Sequence, residues 1–210
     1  MIISPHEQGT QEWLNDRSTV VTSSMFKTTM AKGRDGGLSL TRTKYMRFLA
    51  NSIVTGNPAP NGYSSWEMKE GQKREPESRE YYAFISKNTV TEAGLIYLND
   101  ARRIGASVDG LINHDGNLEL KNPNLETHLA WLLEGGLPPA HQIQVQGQLW
   151  VTDREYCDFV SYHPDAFKMM HRVRVERDDE LIRKIKTAVY QFVSELDLMV
   201  EAFRKIQNGE

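Results

Sequence analysis

The chain has 210 residues with ordinary apolar (39%) and charged (25%) fractions, enough to bury a core as one domain and unlike a disordered composition. A single cysteine, Cys157, excludes an intramolecular disulfide framework and fits a reducing compartment, where it reads as a small buried apolar residue. A formal net charge of −3 excludes a protein that coats nucleic acid through a uniformly basic surface, while leaving room for a local basic groove.

The N-terminal stretch MIISPHEQGTQEW lacks the basic start and apolar run of a signal peptide, and no apolar run reaches membrane-spanning length. A cytoplasmic protein without a membrane partner is therefore expected. Positive residues cluster in Lys27 to Arg34, Arg42 to Arg47, Lys69 to Arg79 and Arg172 to Arg177. Taken alone, such runs are solvated faces.

Over 41–54, Tyr45, Phe48, Leu49 and Ile53 fall at helical spacing, and the Gly-, Pro-, Asn- and Ser-rich stretch 55–65 reads as a loop. A second helical region over 66–88 is interrupted by Pro76, where a helix starts or kinks. Strands are predicted over 94–98, 106–112 and 118–121. LETHLAWLLEGG is a short helix stopped by Gly135 and Gly136, and PPAHQIQVQGQLWVT opens another with its prolines in the first turn. Strands over 155–162 and 171–177 lead to a closing helix capped by Asp178. Its Leu181, Ile182, Ile185, Val189, Phe192, Val193 and Leu196 follow the helical period. This order predicts an α/β domain around a small mixed β-sheet flanked by helices.

The segment SVDGLINHDGNLELKNP, 107–123, reads as a charged hairpin. A two-residue turn at Asp115 and Gly116 pairs Ile112 with Glu119 and buries the glutamate among apolar residues. A three-residue loop over 114–116, with Gly116 left-handed, pairs Ile112 with Leu118 and Gly110 with Leu120 instead. Val108, Ile112, Leu118 and Leu120 then share the core face, and Asp109, Glu119 and Lys121 share the other. Two carboxylates and an ammonium on one face suit a hard divalent cation with a lysine beside it. They equally suit a solvated face with an Asp109–Lys121 salt bridge.

Asp109 followed by Glu119-Leu120-Lys121 resembles the signature of the PD-(D/E)xK nuclease superfamily, with Val108 where its proline would stand. The segments SVDGL…GNLELKNP, QVQGQLWVT, EGQKRE and the N-terminal W-x3-R-x5-TSS are similar to the phage lambda exonuclease, or YqaJ-like, alkaline exonucleases. The similarity runs from about Trp13 to the final helix. It implies a restriction-endonuclease-like core in a single domain over 1–210, with the helical region over about 1–90 forming part of a DNA channel.

The resemblance further implies Mg²⁺-dependent 5′→3′ digestion of one strand of duplex DNA to mononucleotides, leaving a 3′ single strand for recombination. Two ions per site are expected, with Mn²⁺ as a substitute. The expected partners are double-stranded DNA ends, a ring-shaped homotrimer and a single-strand annealing protein. Asp109, Glu119 and the Leu120 carbonyl match metal ligands, Lys121 the lysine that positions or activates the attacking water, and Glu75 an upstream acid near the metals, either a direct ligand or one acting through water. Gln144 matches a glutamine holding the water or the scissile phosphate. Independently of the family, His141, Gln144 and Gln148 form a polar stripe at helical spacing. Arg17, Ser24 and Ser107 match a pocket for the 5′ phosphate, Arg34 a residue gripping the strand, and Met68 an apolar wedge between base pairs. The competing readings are another PD-(D/E)xK nuclease, acting internally or on single strands, and a DNA-binding scaffold without catalysis.

Overall fold

The computed structural model describes residues 1–33, 36–58 and 66–209, the side chains of 66–69 excepted. In chain order the elements are β1 (Ile2–Ile3), α1 (Gln11–Arg17), β2 (Val21–Thr22), a 3₁₀ turn (Ser23–Met25), α2 (Phe26–Thr29) and α3 (Leu40–Thr55). Next come α4 (Trp66–Lys73), α5 (Glu75–Ser86), β3 (Val90–Thr91), β4 (Ile96–Tyr97), β5 (Ile104–Ala106), β6 (Gly110–Ile112) and β7 (Gly116–Lys121). The chain continues through α6 (Leu125–Glu134), α7 (Gln142–Thr152), β8 (Tyr156–Tyr162), β9 (Met170–Glu176) and α8 (Asp179–Asn208). Among the described residues the strands form two mixed sheets, ordered β1-β4-β5-β2 and β3-β6-β7-β8-β9, with helices on their faces.

The helices begin and end where local chemistry directs. Asp178 accepts the Leu181 N–H at 2.9 Å and starts α8, whose Ile182, Ile185, Val189, Phe192 and Leu196 are buried at the helical period. Gly135 stops α6 and Gly56 stops α3, each with φ in the left-handed region, at 74° and 69°. Pro76 sits in the first turn of α5 and separates it from α4. In α3 the buried residues include Met46, Leu49 and Ala50, whereas Phe48, expected inside, is 56% exposed. The prolines expected in the first turn of α7 precede it, and His141 occupies its N-cap. Arg42, from one of the basic runs, is buried and paired with Glu195 at 2.7 Å.

The hairpin differs from expectation by one step. Its pairs are Gly110–Leu118, Leu111–Asn117 and Ile112–Gly116, so the connection is 113–115 and Asn113, with φ 46°, takes the left-handed conformation. The slip is two residues in pairing, so each side chain of β7 keeps its face. The strand expected over 106–112 is divided by 107–109 between β5 and β6. Both faces of β7 are covered. Ile112, Leu118 and Leu120 pack with Tyr82 and Val160, while Val108, expected with them, joins the main core beside Leu111, Leu149 and Phe159.

Asp158, fully buried on β8, accepts from the Tyr82 hydroxyl at 2.6 Å and from Arg174 at 2.8 and 3.0 Å, which fastens α5 to the sheet. On the other face α7 lies close to the turn that carries Ser24. A Cβ at Gly147 would stand 2.4 Å from the Phe26 ring. Gly147→Ala is therefore expected to destabilise the fold by about 1–3 kcal/mol through overpacking, as read from chemical denaturation.

Candidate active site

Alternation along β7 turns Glu119 and Lys121 toward α7, and the short crossing between β5 and β6 brings Asp109 alongside. The Asp109 N–H donates to the Leu118 carbonyl at 3.0 Å, and its carboxylate accepts the Leu120 N–H at 2.6 Å. Glu119 is 1% exposed, which rules out the solvated strand face. Its carboxylate accepts from the Lys121 ammonium, from Gln144 at 2.6 Å and from Gln148 at 2.5 Å. The polar stripe on α7 thus faces the charged residues of β7, and Lys121 pairs with Glu119 rather than Asp109.

Glu75 begins α5, and Arg79 one turn later donates to its carboxylate at 2.7 Å. The same guanidinium donates through Nε to the Asp109 carbonyl at 2.8 Å and pairs with Glu92 at 2.8 Å. Arg79 was not singled out from the sequence. Its four-residue spacing from Glu75 was readable, but its bond to Asp109 joins residues far apart in the chain.

Charge is concentrated here. Burial, then the neighbouring Glu119 and Glu75 charges, hold the Asp109 carboxyl well above its usual range despite Lys121 and the Leu120 N–H. Burial also raises Glu75, against Arg79 and Lys121. For Lys121, burial opposes the ammonium, but Glu119 and Asp109 outweigh it and keep the pKa above its ordinary value. His141 is pulled down by burial and by Lys121, which favours the neutral imidazole.

The raised Asp109 gives a stability prediction whose sign is fixed by linkage. Between the unfolded and folded pKa the native state binds more protons, so stability falls as pH rises through that window. Asp109→Asn keeps an acceptor for Leu120 and is expected to reduce this loss in chelator-treated protein, as measured by denaturation across a pH series.

A cavity of about 500 Å³ gathers these groups. Asp109, Glu119, Leu120, Lys121, Gln144 and Glu75 line it, and so do Arg17, Ser24 and Ser107. Arg17 donates to Ser24 Oγ at 3.2 Å and lies over the Trp13 ring, 4.6 Å from its centroid. The Ser107 hydroxyl and the Trp13 indole N–H are buried without a protein partner. Two hydroxyls, an indole N–H and a guanidinium thus belong to residues that line the same cavity as the carboxylates. Gln8, His141 and Trp131, given no site role from the sequence, complete the walls. Arg34 and the side chain of Met68 lie outside the described residues, and Met68 belongs to α4.

The donor set fits a magnesium ion. Among the described residues no group of three or more His, Cys, Asp or Glu side chains is arranged to hold a metal. Mg²⁺, however, is commonly held by one or two carboxylates and keeps several waters. Asp109 and Glu119 supply two carboxylates in one cavity, and the Glu119 and Glu75 charges that add to burial in raising Asp109 are ones a cation would offset.

Residues 12–155 match the sequence profile of the YqaJ-like viral recombinase domain. The chain belongs to the YqaJ-like family. Along with this family match, the fold is similar to alkaline exonuclease LHK-Exo from Laribacter hongkongensis, at 33% identity and a TM-score of 0.85, covering 95% of this chain and 99% of that one. LHK-Exo in complex with dAMP gives 34% identity and a TM-score of 0.84, covering 95% and 98%. These likenesses bear out the PD-(D/E)xK-like fold expected from the motifs. Uncharacterized protein R354 of Acanthamoeba polyphaga mimivirus is 31% identical over 110 residues, 46% of this chain; the match spans 20% of that protein's length. No described helix of this YqaJ-like chain is long and apolar enough to cross a membrane.

Proposed function

We propose that the chain is a Mg²⁺-dependent 5′→3′ exonuclease that digests one strand of linear duplex DNA to 5′-mononucleotides. The observation that carries this reading is the meeting, in one cavity, of the Asp109–Glu119–Lys121 set with the donors Arg17, Ser24 and Ser107. The carboxylates suit a cation, and the guanidinium and hydroxyls suit a terminal phosphate, so one strand end can engage both sets of groups.

Asp109 and Glu119, with the Leu120 carbonyl, would hold one or two Mg²⁺ ions, for which Mn²⁺ would substitute. Bound there, the metal supplies Lewis-acid stabilisation of phosphate charge and lowers the pKa of water. The chain's own groups do the rest. Gln144 and Lys121 orient Glu119 and face the space where water and scissile phosphate meet. Lys121, paired with Glu119, would orient or activate the attacking water or stabilise phosphate oxygen charge. Glu75, held by Arg79 and lining the same cavity, would serve the metal either directly or through a water.

Water attacks phosphorus, the P–O3′ bond breaks, and the departing O3′ takes a proton. The released nucleotide keeps its 5′ phosphate, and the remaining strand acquires a new one. Each cut therefore regenerates the group that Arg17, Ser24 and Ser107 would bind. The family resemblance supports a single domain over 1–210 with its N-terminal region in the DNA channel. It also supports a ring-shaped homotrimer on double-stranded DNA ends and delivery of the 3′ tail to an annealing protein during recombination, in the cytoplasm.

Preference for a 5′ phosphate is expected at the first nucleotide only, because every later step starts from a phosphorylated end. Arg17→Ala should lose most of it, by roughly ten- to a hundredfold, the worth of a charge-assisted hydrogen bond of about 1.5–3 kcal/mol. Rates of first-nucleotide release from 5′-phosphoryl and 5′-hydroxyl duplexes check this. Equal slowing on both substrates would assign Arg17 to structure or general DNA binding. The proposed function itself is tested by digestion of linear and closed circular duplex with Mg²⁺. Linear DNA should be consumed and circles spared; cleavage of circles would instead indicate an endonuclease, and inertness toward both a non-catalytic scaffold.

A further inference from the structure

Gln148 lies one turn beyond Gln144 on α7 and is fully buried. Its Nε2 donates to Glu119 Oε2 at 2.5 Å and to the Ser107 carbonyl at 3.2 Å. Its Oε1 is buried without a protein partner. Rotating the amide by half a turn would set that oxygen against a carboxylate and a carbonyl, so the two acceptors fix its orientation. Both N–H groups of the amide are thus used, one on each acceptor, and the buried Oε1 is left without a protein partner beside the site.

The two acceptors belong to residues with different proposed roles. Glu119 is a carboxylate of the proposed metal site, and Ser107, two residues before Asp109, is a residue of the proposed phosphate pocket whose hydroxyl is buried without a protein partner. The supporting turn of α7 is itself fixed: the Gln148 carbonyl accepts from Thr152 Oγ1 at 2.8 Å, and Asn117 of β7 donates to that hydroxyl at 2.9 Å. The two N–H bonds of an amide diverge at a fixed angle in one plane. A shift of Ser107 that turns this plane must weaken the bond to Glu119, and the reverse holds equally.

We infer that Gln148 is a positioning residue that couples recognition of the terminal phosphate to the metal-binding carboxylate, through one amide shared by Ser107 and Glu119. The inference rests on the proposed function. Gln148→Met keeps length and approximate volume but removes both donors. Gln148→Asn keeps a buried amide one methylene shorter, unable to span both acceptors, and serves if the methionine variant does not fold.

Two quantities are measured: Mg²⁺ affinity of the free protein by calorimetry, and the first-nucleotide rate ratio between 5′-phosphoryl and 5′-hydroxyl duplexes. Loss of a group that orients a ligand typically costs about ten- to a hundredfold in metal affinity or activity. Both quantities are expected to fall by about tenfold in a folded Gln148 variant. Gln144→Met, whose side chain touches Glu119 alone of these two, should slow digestion and leave the phosphate ratio intact. A folded Gln148 variant that retains either the wild-type metal affinity or the wild-type ratio would overturn the coupling. A wild type lacking metal-dependent end digestion would overturn the proposed function instead, and the calorimetric comparison would still read the link between Gln148 and Glu119.

Discussion

Asp109→Asn and Glu119→Gln are each expected to lower digestion of linear duplex by about a thousandfold or more, with the fold retained. A bound metal supplies several kcal/mol of transition-state charge stabilisation, and about 4 kcal/mol corresponds to roughly a thousandfold in rate. Neither change empties the core. In Asp109→Asn the amide oxygen would still accept from Leu120, whose N–H meets Asp109 Oδ2 at 2.6 Å. At Glu119 the new amide offers one acceptor where Lys121, Gln144 and Gln148 now donate to two oxygens. Some stability is therefore lost there, and activity must be read below the melting transition. Initial rates in Mg²⁺ with parallel calorimetry check the ligand assignment. Near wild-type hydrolysis in either variant would remove that residue from the metal site.

Lys121→Met is expected to abolish cleavage to a similar degree while strengthening divalent-cation binding. The reason is electrostatic: the ammonium pairs with Glu119 and lies beside Asp109, and both carboxylates raise its pKa. Removing it takes away the donor that orients water and also the positive charge that competes with a metal for the same carboxylates. The metal-free variant should lose stability, because removing one partner of a buried pair typically costs about 3–5 kcal/mol, and Mg²⁺ should restore part of it. Calorimetry and melting with and without Mg²⁺ separate the roles. Weakened metal binding would make Lys121 a residue of site assembly rather than of the reaction.

Much of the site was legible because strands have a strict period. Glu119 and Lys121 share a face of β7 whatever the length of the connecting loop, and the two-residue pairing slip caused by left-handed Asn113 preserved that parity. Helical spacing likewise placed Gln144 and Gln148 on the side that meets Glu119. The apolar pattern was less informative, since β7 is covered on both faces and alternation there no longer separates inside from outside. Val108 was assigned to the wrong side because it lies in the 107–109 break between β5 and β6, where strand alternation does not hold. Of the sheet β1-β4-β5-β2, β4 falls inside the strand expected over 94–98, whereas β1 and β2 have two residues each and carry no measurable period. Arg79 remained hidden because its value depends on the Asp109 carbonyl, 30 residues away. The joining of Arg17, Ser24 and Ser107 came from family likeness; in the fold, the parallel pairing of β2 with β5 sets the segments leading to Ser24 and Ser107 side by side, and Arg17 donates to Ser24.

The most direct test of the account follows a 5′-phosphorylated linear duplex carrying a label at the 5′ end of one strand or, separately, at its 3′ end. With Mg²⁺, the 5′ label is predicted to leave first as a mononucleotide, while the 3′ label stays in a strand that shortens with time. Chelation should stop both changes. Early release of the 3′ label, or internal fragments from either substrate, would contradict a 5′→3′ exonuclease built on Asp109, Glu119 and Lys121.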